Sequence, residues 1–229
     1  MTIGAIIQAR MNSARLPGKV LLSLLRKPML DYVLERIACA QLVSRIVIAT
    51  SDEASDDPIY AFCQNRKVEC YRGPLDNVVQ RFLGVIDQYG FDAFVRICAD
   101  SPFIDQRIVD QAVRIFRNSD YDMITNTLTR SFPKGQSVEV VGADVFRATY
   151  AHLREPDDFE HVTRYFHTHK DQFKIYNFSA EEDTSEVQLS VDTLEDFKVA
   201  EKILRAMDRP HVEYGFEDIL KIYQHVSSV

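Results

Sequence analysis

Tryptophan is absent from the 229-residue chain, and glycine is scarce, with 8 residues. Neither GxxxxGK[ST] nor GxGxxG occurs, which excludes the two glycine-rich loops most often used to cradle phosphates on an α/β sheet. The 4 cysteines (Cys39, Cys63, Cys70, Cys98) form no CxxC pair, so packed, reduced thiols are expected rather than disulfides or a zinc site. The histidines include no HExxH; His161, His167 and His169 crowd together in sequence but do not share one helical face. No apolar run approaches the ~18 residues of a membrane-spanning helix. The opening MTIGAIIQAR has neither a charged n-region nor a small-residue cleavage site, so the expectation is a cytoplasmic protein with no membrane partner.

Acidic residues are missing from one stretch. Residues 1–30 hold Arg10, Arg15, Lys19, Arg26 and Lys27 and no Asp or Glu, although the whole chain has 27 Lys and Arg against 34 Asp and Glu, for a net charge of −7. The overall sign argues against a nucleic-acid partner. The local excess points to a confined anion site, with a solvated basic loop as the competing reading.

What is present has an α/β rhythm. Short β-branched runs at 3–9, 45–50, 68–73 and 93–99 read as buried strands. Between them lie helical patterns: one opening at Pro28, one started by Asp56 and Asp57 ahead of Pro58, one capped by Asp76 and stopped at Gly90, and one capped by Asp105. Strands alternating with helices of this length predict parallel βαβ units. After Asp120 the rhythm breaks. Strands are expected at 121–127, 137–141, 173–178 and 187–191, and helices at 143–153 and 158–167, before two closing helices over 194–207 and 216–226. No linker, repeat or low-complexity tract divides the chain, so residues 1–229 read as one domain in which 127–180 is inserted.

Three places carry candidate chemistry. The loop QARMNSARLPGK leaves the first strand at its carboxyl end, where open α/β sheets bind ligands. It brings Arg10, Arg15 and Lys19 together with the small polar Asn12 and Ser13, a set suited to phosphate oxygens. Asp100 follows the strand ending RICA; it is either a Mg²⁺ ligand or a turn residue ahead of Pro102. Asp192 again lies between a predicted strand and a helix, as a second metal ligand or as the cap of a capping box, with Thr193 as the alternative cap. His161 and Arg164 sit on a predicted helix, where a surface or packing role competes with a functional one. Lys134, Gln136 and Glu139 lie on or beside an irregular segment of the kind that reads bound substrates.

The runs IIQARMNSARLPGKVL, IVIATSD, YRGPLDNVVQRF, VRICADSPFID and LSVDTLEDF resemble the sugar-acid cytidylyltransferases, which include the CMP-sialic-acid and CMP-Kdo synthetases. The likeness is strongest to the spore-coat polysaccharide biosynthesis branch and runs from Ile3 to about Met207. It implies a three-layer, Rossmann-like, mostly parallel sheet of the glycosyltransferase-A-like nucleotidyltransferase type. The resemblance places Gln8, Ala9, Arg10, Asn12, Ser13, Arg15, Lys19, Ser51, Asp52, Arg72, Gly73 and Cys98 around the nucleotide, and Asp100 and Asp192 on Mg²⁺. It assigns sugar contacts to Asn126, Lys134, Gln136, Glu139, His161 and Arg164, and a homodimer interface to 127–180. One departure stands out: relatives carry glutamine near the cytosine where this chain has Cys98, whose thiol lacks the amide's paired donor and acceptor.

The activity this implies is Mg²⁺-dependent transfer of CMP from CTP to a sugar acid with release of pyrophosphate, in surface polysaccharide or glycan synthesis. Lys19, Arg10, Arg15 and Asp100 would act in catalysis. A glycosyltransferase using a nucleotide sugar, or a non-catalytic nucleotide-binding module, are the alternatives, because this sheet hosts several chemistries.

Overall fold

The computed structural model describes residues 1–227. Its first half follows the periodicity closely. Strand β1 (Ile3–Gln8) leads through the basic loop to a two-residue hairpin, β2 (Ser23–Leu24) and β3 (Lys27–Pro28), and then helix α1 (Met29–Ala38). Three further units follow: β4 (Arg45–Ser51) with α2 (Asp57–Arg66), β5 (Glu69–Gly73) with α3 (Val78–Tyr89), and β6 (Ala93–Cys98) with α4 (Gln106–Arg117). Apolar residues on both faces of β1, β4 and β6 are buried, as expected of parallel strands covered on both sides by helices.

The second half adds β7 (Met123–Thr125), β8 (Glu139–Gly142), α5 (Ala143–Tyr150), α6 (Pro156–Glu160), α7 (Arg164–Thr168), β9 (Ile175–Asn177), α8 (Leu194–Arg205) and α9 (Phe216–Ser227). The strands form one seven-stranded sheet in the order β5-β4-β1-β6-β8-β7-β9. β8 runs antiparallel to both its neighbours; the other pairings are parallel. The 127–180 segment therefore extends the central sheet through β8 and β9 rather than standing apart from it. Two apolar layers cover the two faces, one rich in α1, α4 and α8 residues and the other in α3 and α5 residues.

Several local expectations change. Asn77, not Asp76, caps α3, its side chain accepting from Gln80 N at 2.8 Å. Residues 143–153 are helical only to Tyr150, and the helix expected over 158–167 is two short helices, α6 and α7, broken at His161. Residues 187–191 form no strand. Their neighbour is an irregular stretch that offers one isolated bridge, Lys134 to Gln188, so no ladder can build. Gly135 permits that approach: its φ is +96°, and a Cβ there would come within 2.6 Å of Ser190 N.

Chain order along the parallel strands reverses at β1, with β4 on one side and β6 on the other. The crevice outside the carboxyl ends of β1 and β6 is the topological switch point of the sheet, the usual ligand position in this architecture.

Candidate active site

A cavity of ≈ 330 Å³ occupies that crevice, lined by residues of the basic loop, the ends of β1 and β6, α3, Glu160 and Asp192. The loop is shaped by two devices. Gly18, with φ +70°, donates to Met11 O at 2.8 Å and turns the chain so that Lys19 points inward. At its other end Met11 N donates to Asp56 Oδ1 at 2.7 Å. The buried Asp56 also accepts from Thr50 Oγ1 (3.0 Å), Ser51 N (3.0 Å) and Ser51 Oγ (2.5 Å), and so ties the loop to the end of β4. Burial alone would raise the Asp56 pKa; these donors outweigh it and hold the carboxylate below its usual range.

At the floor of the cavity Lys19 Nζ donates to Asp100 Oδ2 at 2.8 Å, Asp192 Oδ1 at 3.0 Å and the Val191 carbonyl at 2.8 Å. Arg15 also reaches Asp192, at 2.9 Å. Burial pulls the Lys19 pKa down, but the two carboxylates overcome it and the ammonium is held above its ordinary value. Asp192 is not the helix cap. Thr193 caps α8 and Asp196 closes the capping box by accepting from Thr193 N at 2.8 Å, which leaves the Asp192 carboxylate to the cavity. Val191 N donates to the Asp100 carbonyl at 2.8 Å and joins the two aspartate loops.

These carboxylates suit a hard cation. Among the described residues no group of three or more His, Cys, Asp or Glu converges, as a dedicated protein cage would require. Two carboxylates that share one nitrogen partner at the end of a phosphate-sized cavity match Mg²⁺, which takes one or two carboxylates and completes its shell with waters and substrate phosphates.

Of the residues placed around the nucleotide, Gln8, Ala9, Arg10, Ser13, Arg15, Lys19 and Cys98 line the cavity. Arg10 is paired with Glu160 of α6 at 2.7 Å, which ties the basic loop to the 127–180 segment. Asn12 is exposed and reaches Ser55 at 3.4 Å. Ser51 directs its hydroxyl to Asp56, and Arg72 is engaged with the Ser51 and Glu53 carbonyls (2.9 Å each) and with Asp57 (2.8 Å). Asp52 N bonds the Gly73 carbonyl at 2.9 Å beside a separate shallow depression. These four residues join β4 to β5 at the edge of the site rather than entering it.

None of the six residues assigned to the sugar lines the cavity. Gln136 is fully buried and uses its amide on Asp105 N (2.8 Å) and the Phe103 carbonyl (2.6 Å). Asn126 likewise bonds the Gln136 carbonyl (2.8 Å) and Val138 N (2.9 Å). Lys134 and His161 are exposed, and Arg164 pairs with Asp158. Glu139 stands behind the wall, accepting from Arg96 (2.7 Å), Thr163 (2.8 Å), Thr127 (3.0 Å) and His167 (2.8 Å). Burial would raise its pKa, but His167 and Arg96 hold it well below the carboxylate range. In front of it, burial pushes the Cys98 thiol up to about 11.

Sequence reasoning passed over Arg81, Arg96 and Glu160. Arg81 is buried against the cavity and donates to the Pro74 and Leu75 carbonyls at 2.7 and 3.0 Å. Arg96 carried a signal, since it precedes Cys98 by two on a strand and shares its face.

The comparisons agree with this geometry. A cytidylyltransferase family model matches residues 4–226, and the chain belongs to that family. The spore coat polysaccharide biosynthesis protein SpsF of Bacillus subtilis is 32% identical over 217 residues, covering 90% of this chain and 88% of that protein. A cytidylyltransferase structure from Leptospira borgpetersenii superposes with a TM-score of 0.95 at 28% identity, over 100% of this chain and 96% of the other. A CMP:2-keto-3-deoxy-manno-octonic acid synthetase complexed with CTP superposes with a TM-score of 0.69 at 19% identity, covering 90% and 99%, a likeness of fold. The protein is thus an α/β nucleotidyltransferase. Among the described residues no helix is long and apolar enough to cross a membrane.

Proposed function

We propose that the enzyme transfers CMP from CTP to a hydroxyl of a sugar acid, with Mg²⁺ and with release of pyrophosphate. The observation that carries this reading is the convergence of Arg15, Lys19, Asp100 and Asp192 at the switch-point cavity of a cytidylyltransferase chain. Arg10, Arg15 and Lys19 bind the triphosphate, and Lys19, withdrawn from solvent, neutralises charge that accumulates on the departing pyrophosphate. Bound at Asp100 and Asp192, Mg²⁺ would supply charge neutralisation at the phosphates and acidify the attacking hydroxyl. Ser13 and the loop amides orient the phosphates for in-line attack at the α-phosphorus, so no covalent enzyme intermediate is required.

The name of the spore-coat relative and the open edge at β9 support two further parts of the reading: a role in surface polysaccharide synthesis, and a homodimer built on the 127–180 segment. The free cysteines fit a cytoplasmic setting.

Four nucleoside triphosphates assayed against a panel of sugar acids with Mg²⁺, with pyrophosphate as readout, test the proposal. CTP with at least one acid should release stoichiometric pyrophosphate. Release of a nucleoside diphosphate from a nucleotide sugar would make the enzyme a glycosyltransferase instead, and CTP binding with no turnover against any acceptor would reduce it to a binding module.

A further inference from the structure

One wall of the cavity is formed where β1 and β6 run side by side and Gln8, at the start of the basic loop, pairs in register with Cys98. The Gln8 carboxamide has a fixed orientation. Arg96 Nε, which can only donate, lies 3.0 Å from Gln8 Oε1. The oxygen therefore faces Arg96, and Nε2, with its two N–H groups, is left to the cavity without a partner among the described residues. Arg96 is itself held by Glu139, whose two oxygens are occupied by Arg96, Thr163, Thr127 and His167.

Donor and acceptor counting then decides what this wall can bind. Glu139, the acceptor behind it, is fully used; the cavity's own carboxylates Asp100 and Glu160 are engaged by Lys19 and Arg10, and the groups this wall adds are the Gln8 amide N–H pair and the weakly polar Cys98 thiol. This wall lies toward β8 and the 127–180 segment, on the opposite side of β1 from Ser51 and Arg72.

We propose that Gln8, held donor-outward by Arg96, is a specificity-determining residue that selects the carboxylate of the acceptor sugar. Arg96 and Glu139 are positioning residues, since neither lines the cavity. The inference rests on the cytidylyl-transfer reading and deepens it: the acceptor is recognised by an acceptor-only group, and a neutral analogue would leave these donors poorly matched.

Gln8→Glu tests it, because it keeps a partner for Arg96 and reverses what the wall presents. With saturating CTP and pyrophosphate as readout, the KM for the sugar acid should rise at least about tenfold, and by a clearly larger factor than any loss of calorimetric CTP affinity. Gln8→Met should raise the same KM by about three- to tenfold, and a carboxyl-reduced sugar should no longer distinguish Gln8→Glu from wild type. Arg96→Lys keeps a cation against Glu139 but frees the amide to rotate; its KM for the acid should rise with kcat little changed. An unchanged acid KM in Gln8→Glu, or a loss confined to CTP, overturns the inference and leaves the proposed reaction standing. A wild type that turns over no sugar acid removes both.

Discussion

Lys19 Nζ lies 2.8 Å from Asp100 Oδ2, so a loop cation occupies the ground between the two aspartates of the site. The ion pair orders the cavity floor. Asp100 and Asp192 would hold Mg²⁺ in the proposed reaction, and Lys19, bonded to both, would supply a positive charge beside it. Asp100→Asn and Asp192→Asn should each lower kcat by ~10²-fold or more, and the double variant should be little worse than either, because residues acting as a unit are not additive. Steady-state kinetics of the three variants against Mg²⁺ concentration check this.

Thr193 caps α8 while its neighbour Asp192 lines the cavity. Thr193→Ala removes the α8 cap and should cost ~1 kcal/mol of stability with turnover nearly intact. Asp192→Asn should do the reverse. Thermal melts and rates measured on both proteins distinguish them.

Asp56 couples the loop to β4, and its removal should be felt in both stability and phosphate binding. Asp56→Ala leaves four donors unmatched, three of them buried, an expected loss of about 2–4 kcal/mol by denaturant titration. The sign of its pH dependence follows from its depressed pKa. The stabilisation is complete above the unfolded aspartate value, ~3.9, and is lost as pH falls through the lower folded value. Asp56→Asn should therefore flatten the acid limb of the stability curve.

The open edge of the sheet makes assembly testable. Tyr176, 41% exposed, stands on edge strand β9 with its ring 5.4 Å from that of Tyr121. We expect a dimer in sedimentation at micromolar concentration, and Tyr176→Glu should shift it toward monomer. A wild-type monomer would remove the dimer from the proposed function.

Periodicity and punctuation were enough for the parallel half of the fold. Runs such as IGAIIQ and RIVIAT are apolar on both faces, and further along the chain Pro58, Gly90 and Asp105 mark helix boundaries by local chemistry that acts whatever the rest of the chain does. The basic, acid-free loop was legible for the same reason, since charge composition is a local property. Residues 187–191 show the limit: their alternation permits a strand, but a strand needs a partner, and the neighbouring backbone offered one bridge. Asn126 and Gln136 were expected to contact the sugar, but the fold buries them and directs their amides to backbone atoms. Residue type alone therefore determined which groups could meet an anion or a cation. Only the tertiary structure decided which did, because hydrogen-bonding capacity is fixed by the side chain while its use depends on neighbours brought from elsewhere in the chain.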